Sequence, residues 1–235
     1  MPHADFDMEG LASYLHLAPS QVAKLAERGK LPGRKVAGQW RFSKAEIHHW
    51  LEHRIGVSDE DELVEVEGVL ARSAVSDAEE AVSIAALLPL EALDATLNAR
   101  TPSSVIRAMV DLATGTGWLW DPEKMAEAVR SREEMHPTAL ENGVALLHPR
   151  RPMSGILGQA FIALGRTPKG LPFGGGRGLL TDIFFLICSM DDREHLRLLA
   201  RLSRILTVPG FLESLREAPD AEAIHRLFVE TEAEL

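Results

Sequence analysis

The chain has 235 residues, of which 46% are hydrophobic, so it is long enough for one large or two small domains with a buried core. We expect no membrane span and no signal peptide, because no segment approaches about 18 uninterrupted apolar residues and the first residues lack a basic region followed by an apolar one. The net charge of −10 argues against nonspecific nucleic-acid binding by the whole chain, but residues 1–55 carry a net charge of +2 and residues 56–100 one of −9. The N-terminal block is therefore the part expected to meet phosphates. Cys188 is the only cysteine and lies in an apolar run, which predicts a buried thiol in a cytoplasmic protein.

Two short helices are predicted at the start of the N-terminal block. Residues 9–17 carry Leu11 and Leu15 at helical spacing. Pro19 suits the first position of a second helix, and Gly29 is expected to end it.

A hairpin and a third helix are predicted to follow. Residues 35–42 read as two short strands that turn at Ala37-Gly38. Ser43 and Glu46 have the spacing of a capping box at the start of a helix whose buried face includes Ile47.

Residues 8–54 resemble the winged-helix excisionase family, which is related to the MerR type. The family pattern is Gly-x-Leu-Pro followed by a wing of the form Val-Gly-Gly-x-Trp-Arg-Phe, and this chain has Gly29-Lys-Leu-Pro32 and Val36-Ala-Gly-Gln-Trp-Arg-Phe42. The resemblance implies that the second helix binds the major groove of duplex DNA and that the wing follows the backbone. The polar residues expected to contact DNA are Gln21, Lys24, Arg28, Lys35 and Arg41, each of which could instead be an ordinary solvated side chain. Because the block is small and mildly basic, we expect it to bind better as a homodimer.

An acidic linker with a helical end is predicted over residues 56–86. It contains the run Ser58-Asp-Glu-Asp-Glu62 and few large apolar side chains before residue 81. This composition is typical of a solvated connector, and an interaction tail is the alternative.

Residues 87–235 are predicted to form an α/β domain, because strand-like runs alternate with helical patterns. Helices are expected over residues 103–113, 121–129, 192–206, 209–215 and 222–229. Strands are expected over residues 144–147, 159–164 and 183–188.

His148 is the main candidate for chemistry, because it follows the apolar run 144–147 and lies sixteen residues after Arg132. A histidine at the end of a buried strand can expose one ring nitrogen while its backbone is held. Neutral imidazole is a good nucleophile near neutral pH, and the planar guanidinium of arginine suits a phosphoryl group.

The domain over residues 87–235 resembles the enzyme IIA domains of the phosphotransferase system, of the fructose/mannitol and nitrogen-regulatory type. The family pattern is an Arg-Glu pair, a Ser/Thr-Thr-Gly-type loop, then Gly-x-Ala-x-Pro-His, and later a His-Leu pair that opens a long helix. The matching residues are Arg132-Glu133, Thr138, Gly143, Ala145, His148 and His195-Leu196. The resemblance implies a mixed sheet flanked by helices, with His148 phosphorylated, His195 beside it, and Arg132 and Thr138 binding the phosphate.

The physical environment of His195 can be predicted separately. If Asp191 caps the helix over 192–206, His195 lies in its first turn and shares a face with Leu198 and Leu202. The ring then points into the core, where the helix N-terminus favours neutral imidazole. A satisfied core histidine is the alternative to a functional one.

Several residues near His148 depart from the family pattern. The glycine-rich loop of the family is replaced by residues 136–143, which keep only Thr138 and Gly143 of its motif. Fewer glycines leave fewer backbone N–H groups able to surround an anion. Arg150 and Arg151 add two cations directly after His148, so they are predicted to stabilise a phosphoryl group or to bind another anionic ligand.

Three functions remain open at this stage. The first is a DNA-binding regulatory protein, nitrogen-regulatory or sugar-responsive, that is phosphorylated by the histidine-containing phosphocarrier protein of the phosphotransferase system. The second is an active enzyme IIA phosphocarrier without a DNA-binding role, and the third is a degenerate sensor of an anionic metabolite. The histidines show no convincing metal-ligand spacing, so neither a metal nor a cofactor is expected.

Overall fold

The computed structural model describes residues 5–15, 17–43, 46, 47, 50, 51, 82–174 and 178–235. The chain divides into an N-terminal unit and a larger unit that begins at Val82. The predicted connector lies mostly outside the described residues. Its end is described, and a short 3₁₀ turn covers Ala85–Leu87 in place of a regular helix.

The N-terminal unit begins with two short helices, α1 (Met8–Tyr14) and α2 (Pro19–Glu27). Asp7 caps α1, because its carboxylate accepts a hydrogen bond from the Gly10 N–H at 2.7 Å. Apolar residues at helical spacing bury one side of each helix, with Leu11 and Val22 fully buried. Both predicted helices are confirmed.

A hairpin follows, formed by the antiparallel strands β1 (Arg34–Val36) and β2 (Gln39–Arg41). The turn residues Ala37 and Gly38 have φ values of 50° and 80°, the left-handed backbone that two-residue hairpin turns require. The predicted wing is therefore present. Residues 46, 47, 50 and 51 are helical, as predicted, and the remainder of this helix lies outside the described residues.

The larger unit contains a four-stranded mixed sheet. Its strands are β3 (Leu93–Asp94), β4 (Val144–Leu147), β5 (Phe161–Leu171) and β6 (Thr181–Cys188). Their order across the sheet is β3-β5-β6-β4; β5 and β6 are antiparallel, and each outer strand is parallel to its neighbour. The predicted mixed sheet flanked by helices is confirmed.

Helices accompany this sheet, and local signals in the sequence mark where most of them begin. Their bounds are α3 (Pro102–Thr114), α4 (Pro122–Met135), α5 (Asp192–Thr207), α6 (Phe211–Glu217) and α7 (Ala221–Glu234). Side chains of Thr101, Asp121, Asp191 and Asp220 accept hydrogen bonds at the N-termini of α3, α4, α5 and α7. In the described parts of the chain, no helix is long and apolar enough to cross a membrane.

Two features of the sheet differ from the prediction. The strand expected over residues 159–164 begins at Phe161 and continues to Leu171, with an irregular register between Arg166 and Leu171. Pro168 lies in this irregular part, where a missing N–H costs no regular ladder bond. The two-residue strand β3 was not predicted, because so short a segment carries no periodic pattern.

Candidate functional site

The sheet topology brings two histidines to one edge of the larger unit. β4 and β6 are parallel, with Leu147 opposite Leu186, so both strands end at the same side of the sheet. His148 directly follows β4. His195 lies on α5, which begins a few residues after β6. In α/β sheets, the carboxyl ends of neighbouring strands are a common position for functional side chains.

The ring of His148 is fixed by the backbone of its own strand. Its Nδ1 lies 2.7 Å from the carbonyl oxygen of Leu146, and only 3% of the residue is exposed. A carbonyl oxygen can only accept a hydrogen bond, so Nδ1 carries the proton and donates it. In neutral imidazole this leaves the lone pair on Nε2, which makes Nε2 the nucleophilic atom.

His195 lies in the first turn of α5, as predicted. Asp191 caps this helix by accepting hydrogen bonds from Arg193 N–H at 2.8 Å and Glu194 N–H at 2.9 Å. The His195 ring points into the interior and only 4% of the residue is exposed. Its Nδ1 lies 3.0 Å from the hydroxyl of Ser189, a buried residue that follows β6.

The two imidazole rings are neighbours. Their centroids are 4.9 Å apart and their planes are tilted by 56°. Cys188, the last residue of β6, is also buried, and burial raises the pKa of its thiol far above the ordinary value. The thiol therefore remains protonated, as predicted for a core cysteine, and the two imidazoles are the candidates for chemistry at this edge.

A second group of polar residues approaches the pair from the C-terminal end of α4. Arg132 is buried and donates a hydrogen bond to the carbonyl oxygen of His136. Glu133 accepts two hydrogen bonds from Thr138, one from its N–H at 3.1 Å and one from its hydroxyl. The carbonyl of Thr138 in turn accepts from the N–H of Leu146 on β4 at 3.3 Å. These contacts attach the Arg132–Thr138 region to the strand that carries His148.

Burial raises the pKa of the Glu133 carboxyl above its ordinary value. The hydrogen bonds from Thr138 act in the opposite direction, as do the charges of His148 and Arg132, but desolvation is the largest effect. Glu133 therefore keeps its proton to a higher pH than an exposed glutamate does, because desolvation outweighs the effects that lower its pKa.

The remaining predicted anion-binding residues have different surroundings. Arg150 and Arg151 are exposed, directly after His148 and the buried Pro149. Gly143 takes part in the pairing of β4 with β6, since its carbonyl oxygen accepts hydrogen bonds from the N–H groups of Asp182 at 3.0 Å and Ile183 at 3.2 Å. Among the described residues, no group of three or more histidine, cysteine or acidic side chains could hold a metal ion.

The predicted DNA-contacting residues lie on the surface of the N-terminal unit. Lys24 and Arg28 are exposed on and just after α2, whereas the side chain of Gln21 folds back to accept a hydrogen bond from the Ala18 N–H at 2.9 Å. On the hairpin, the Lys35 ammonium lies 5.2 Å from the centre of the Trp40 ring, and Arg41 donates to the Gln39 side chain at 3.4 Å. Lys35 and Arg41 on the hairpin therefore contact neighbouring side chains, while Lys24 and Arg28 are exposed to solvent.

Sequence reasoning missed two residues of the candidate site, Glu133 and Ser189. Glu133 was noted only as part of the Arg-Glu pair, and its contact with Thr138 joins a helix to the following loop. Ser189 carries the same signal as His148, a polar residue directly after a buried strand. That signal could have identified it once the two strands were known to be parallel and adjacent.

Comparison with known proteins yields two family matches. Residues 86–231 match the model described as phosphoenolpyruvate-dependent sugar phosphotransferase system, EIIA 2, and residues 7–54 match a helix-turn-helix domain. Both resemblances predicted from the sequence motifs are confirmed.

Individual relatives agree with these matches. A nitrogen regulatory protein of Bradyrhizobium diazoefficiens is 30% identical over 140 residues, which cover 58% of this chain and 90% of that protein. A multiphosphoryl transfer protein of Vibrio cholerae is 31% identical over 102 residues, 43% of this chain, but the match spans only 25% of that protein's length. The crystal structure of IIA mannitol from Escherichia coli is similar in fold, with a TM-score of 0.53 at 20% identity over 60% of this chain and 97% of that one.

Proposed function

Because the chain belongs to the phosphoenolpyruvate-dependent sugar phosphotransferase system EIIA 2 family, we propose that it is a DNA-binding regulator that is phosphorylated on His148. The observation that supports this most is the hydrogen bond from His148 Nδ1 to the Leu146 carbonyl, 2.7 Å long, which leaves Nε2 as the nucleophile. Since the ring is held before any partner binds, little orientational freedom is lost in the reaction.

The reaction is a transfer between two imidazoles. The donor is the phosphohistidine of a histidine-containing phosphocarrier protein. The Nε2 lone pair of His148 attacks the phosphorus, the nitrogen–phosphorus bond of the donor breaks, and its electron pair returns to the donor's imidazole. A covalent phosphohistidine on this chain is the product, and it can be passed on or retained as a signal.

The proposed roles of the neighbouring residues follow from charge and position. His195 donates a hydrogen bond to a phosphoryl oxygen, and Arg132, Arg150 and Arg151 stabilise the negative charge. Thr138 is the weakest member of the predicted set, because both its N–H and its hydroxyl donate to Glu133. It reaches a phosphoryl group only if it releases that carboxylate.

The proposed organisation is a winged helix-turn-helix domain over residues 1–55, a connector over residues 56–86 and an EIIA domain over residues 87–235. We place the protein in the cytoplasm, where phosphocarrier and DNA are both available. One relative is named a nitrogen regulatory protein and the matching family is described as a sugar phosphotransferase system, which supports nitrogen or sugar use as the regulated process.

Phosphorylation is tested with the full chain, a phosphorylated histidine-containing carrier and mass spectrometry. We expect one acid-labile phosphoryl group on His148, lost in His148→Ala and kept in His136→Ala, a matched control that removes an exposed histidine twelve residues away. Phosphate on another histidine, or none with any donor, would contradict the proposal. Retention of an anionic ligand without phosphorylation would favour the anion sensor instead.

DNA binding is tested by the salt dependence of affinity. If the cations contact phosphates, Lys24→Ala and Arg41→Ala should each weaken binding and lower the salt slope by about 1. Lys124→Ala is the matched control, because it removes an exposed cation from α4 in the other unit. Unchanged affinity for DNA in Lys24→Ala and Arg41→Ala would contradict the DNA-binding role and favour a phosphocarrier that does not bind DNA. A dimer is expected to read half-sites about 10 base pairs apart.

A further inference from the structure

The hydroxyl of Ser189 contacts the second histidine of the site. It lies 3.0 Å from His195 Nδ1, and both residues are buried. We propose that Ser189 is a positioning residue that donates its proton to His195 Nδ1 and thereby fixes the His195 proton on Nε2. This inference deepens the proposed phosphotransfer and rests on it for its functional consequence.

The direction of this hydrogen bond follows from the number of acceptors near the Ser189 hydroxyl. Among the described residues, the Ser189 hydroxyl has His195 Nδ1 as its hydrogen-bond partner and no other. If Nδ1–H donated to the serine oxygen, the hydroxyl proton would be buried without an acceptor, which is unfavourable. If the hydroxyl donates instead, both its proton and the Nδ1 lone pair are satisfied. The neutral ring then has its proton on Nε2.

The segment that carries Ser189 is held rigidly. The Met190 N–H donates to the Glu194 carboxylate at 2.6 Å, and Asp191 caps the helix that begins one residue later. Ser189 itself follows the last strand residue, Cys188. Ser189 and His195 therefore extend from a strand end and a helix start whose backbone is held by these hydrogen bonds.

The two imidazoles then carry their protons on opposite ring nitrogens. The Leu146 carbonyl places the His148 proton on Nδ1 and the lone pair on Nε2. The Ser189 hydroxyl places the His195 lone pair on Nδ1 and the proton on Nε2. With ring centroids 4.9 Å apart, one ring supplies the nucleophile and the other a neutral N–H donor for a phosphoryl oxygen. In the other tautomer, His195 would direct a lone pair at an anion.

Nitrogen-15 NMR of the full chain measures the tautomer directly, because protonated and unprotonated imidazole nitrogens differ widely in chemical shift. The His195 signals are assigned by their loss in His195→Gln. We expect an unprotonated Nδ1 and a protonated Nε2 in the parent, and a larger Nδ1-protonated fraction in Ser189→Ala. A protonated Nδ1 in the parent would overturn the proposal, as would an unchanged tautomer in Ser189→Ala.

Phosphorylation kinetics give the functional readout. Ser189→Ala should slow phosphorylation of His148 about tenfold, as expected when a hydrogen bond to a charged group is weakened. Ser203→Ala, which removes a buried hydroxyl from the same helix as His195, should leave both rate and tautomer unchanged. An equal loss of rate in both variants would indicate a general packing effect and refute the serine's role. Absence of phosphorylation in the parent would refute the proposed function instead, while the tautomer measurement would still stand.

Discussion

Replacing Gly143 with alanine should displace the strand that carries His148. Gly143 precedes β4 and has a φ of 89°, a conformation that costs a residue with a Cβ about 1–3 kcal/mol. The added Cβ would lie 2.8 Å from Arg216 Nη2, 3.0 Å from Asp182 Oδ1 and 3.3 Å from the Leu180 carbonyl oxygen. Displacing the partly exposed Asp182–Arg216 ion pair adds about 0–1 kcal/mol. The expected loss of unfolding free energy is therefore about 1–4 kcal/mol.

Thermal unfolding and hydrogen exchange test this estimate. For a domain of about 150 residues, the loss corresponds to a fall in Tm of about 2–16 °C. Exchange should accelerate at the Asp182 and Ile183 amides, which donate to the Gly143 carbonyl. Gly155→Ala is the matched control, because its Cβ would meet no atom within 4 Å and its φ is not positive. A Tm for Gly143→Ala close to the parent's, or an equal loss in the control, would refute the reasoning.

Three further predictions concern pH, a helix cap and the hairpin. Because the pKa of Glu133 is raised, its contribution to the free energy of unfolding is greatest below the ordinary value of 4.5 and decreases as the pH rises through the raised pKa. Denaturant unfolding across this pH range should show that decrease in the parent protein and not in Glu133→Gln. Thr101→Ala should cost about 1 kcal/mol in denaturant unfolding, since its hydroxyl accepts from the Ser104 N–H at the start of α3, and a cost near zero would contradict the cap. Gly38→Val should weaken DNA binding in gel shifts through strain of about 1–2 kcal/mol at φ 80°, whereas Gly38→Asn, which tolerates this backbone, should bind nearly as the parent does; equal binding by both variants would argue against a role for the wing.

The sequence was sufficient where the signals are local. The apolar run Val144–Leu147 is β4, residue for residue, and the capping aspartate Asp191 correctly placed the start of α5 and the inward direction of His195. The family motifs also predicted that His148 lies beside His195. The two residues are 47 positions apart in the sequence, and no periodic pattern relates them.

The sequence was insufficient where contacts are non-local or irregular. The end of β5 was missed because Gly165 and Pro168 are poor strand formers, while pairing of Leu171 with Thr181 on β6 holds that part of the strand in place. The Ser189–His195 and Glu133–Thr138 hydrogen bonds each join a helix to an adjacent loop. They depend on the backbone conformation of that loop, which the side-chain identities alone do not determine.

Those contacts change what the glycine-poor loop before β4 is expected to do. The Gly143 carbonyl accepts hydrogen bonds from β6, and the donors of Thr138 are bound to Glu133, so the loop supports the strand. In the proposed function, stabilisation of the phosphoryl charge then falls to the arginines. Thr138→Val should therefore cost about 1–3 kcal/mol of stability, since it removes the hydroxyl donor and leaves the largely buried Glu133 carboxyl with the backbone N–H of residue 138, yet change the phosphorylation rate of the folded protein little. Arg150→Gln should do the opposite, slowing phosphorylation about two- to fivefold at low salt, an effect that shrinks as salt screens this exposed charge. A rate loss in Thr138→Val that exceeds the loss in Arg150→Gln, measured below the melting temperature of both, would show that the loop still binds the anion.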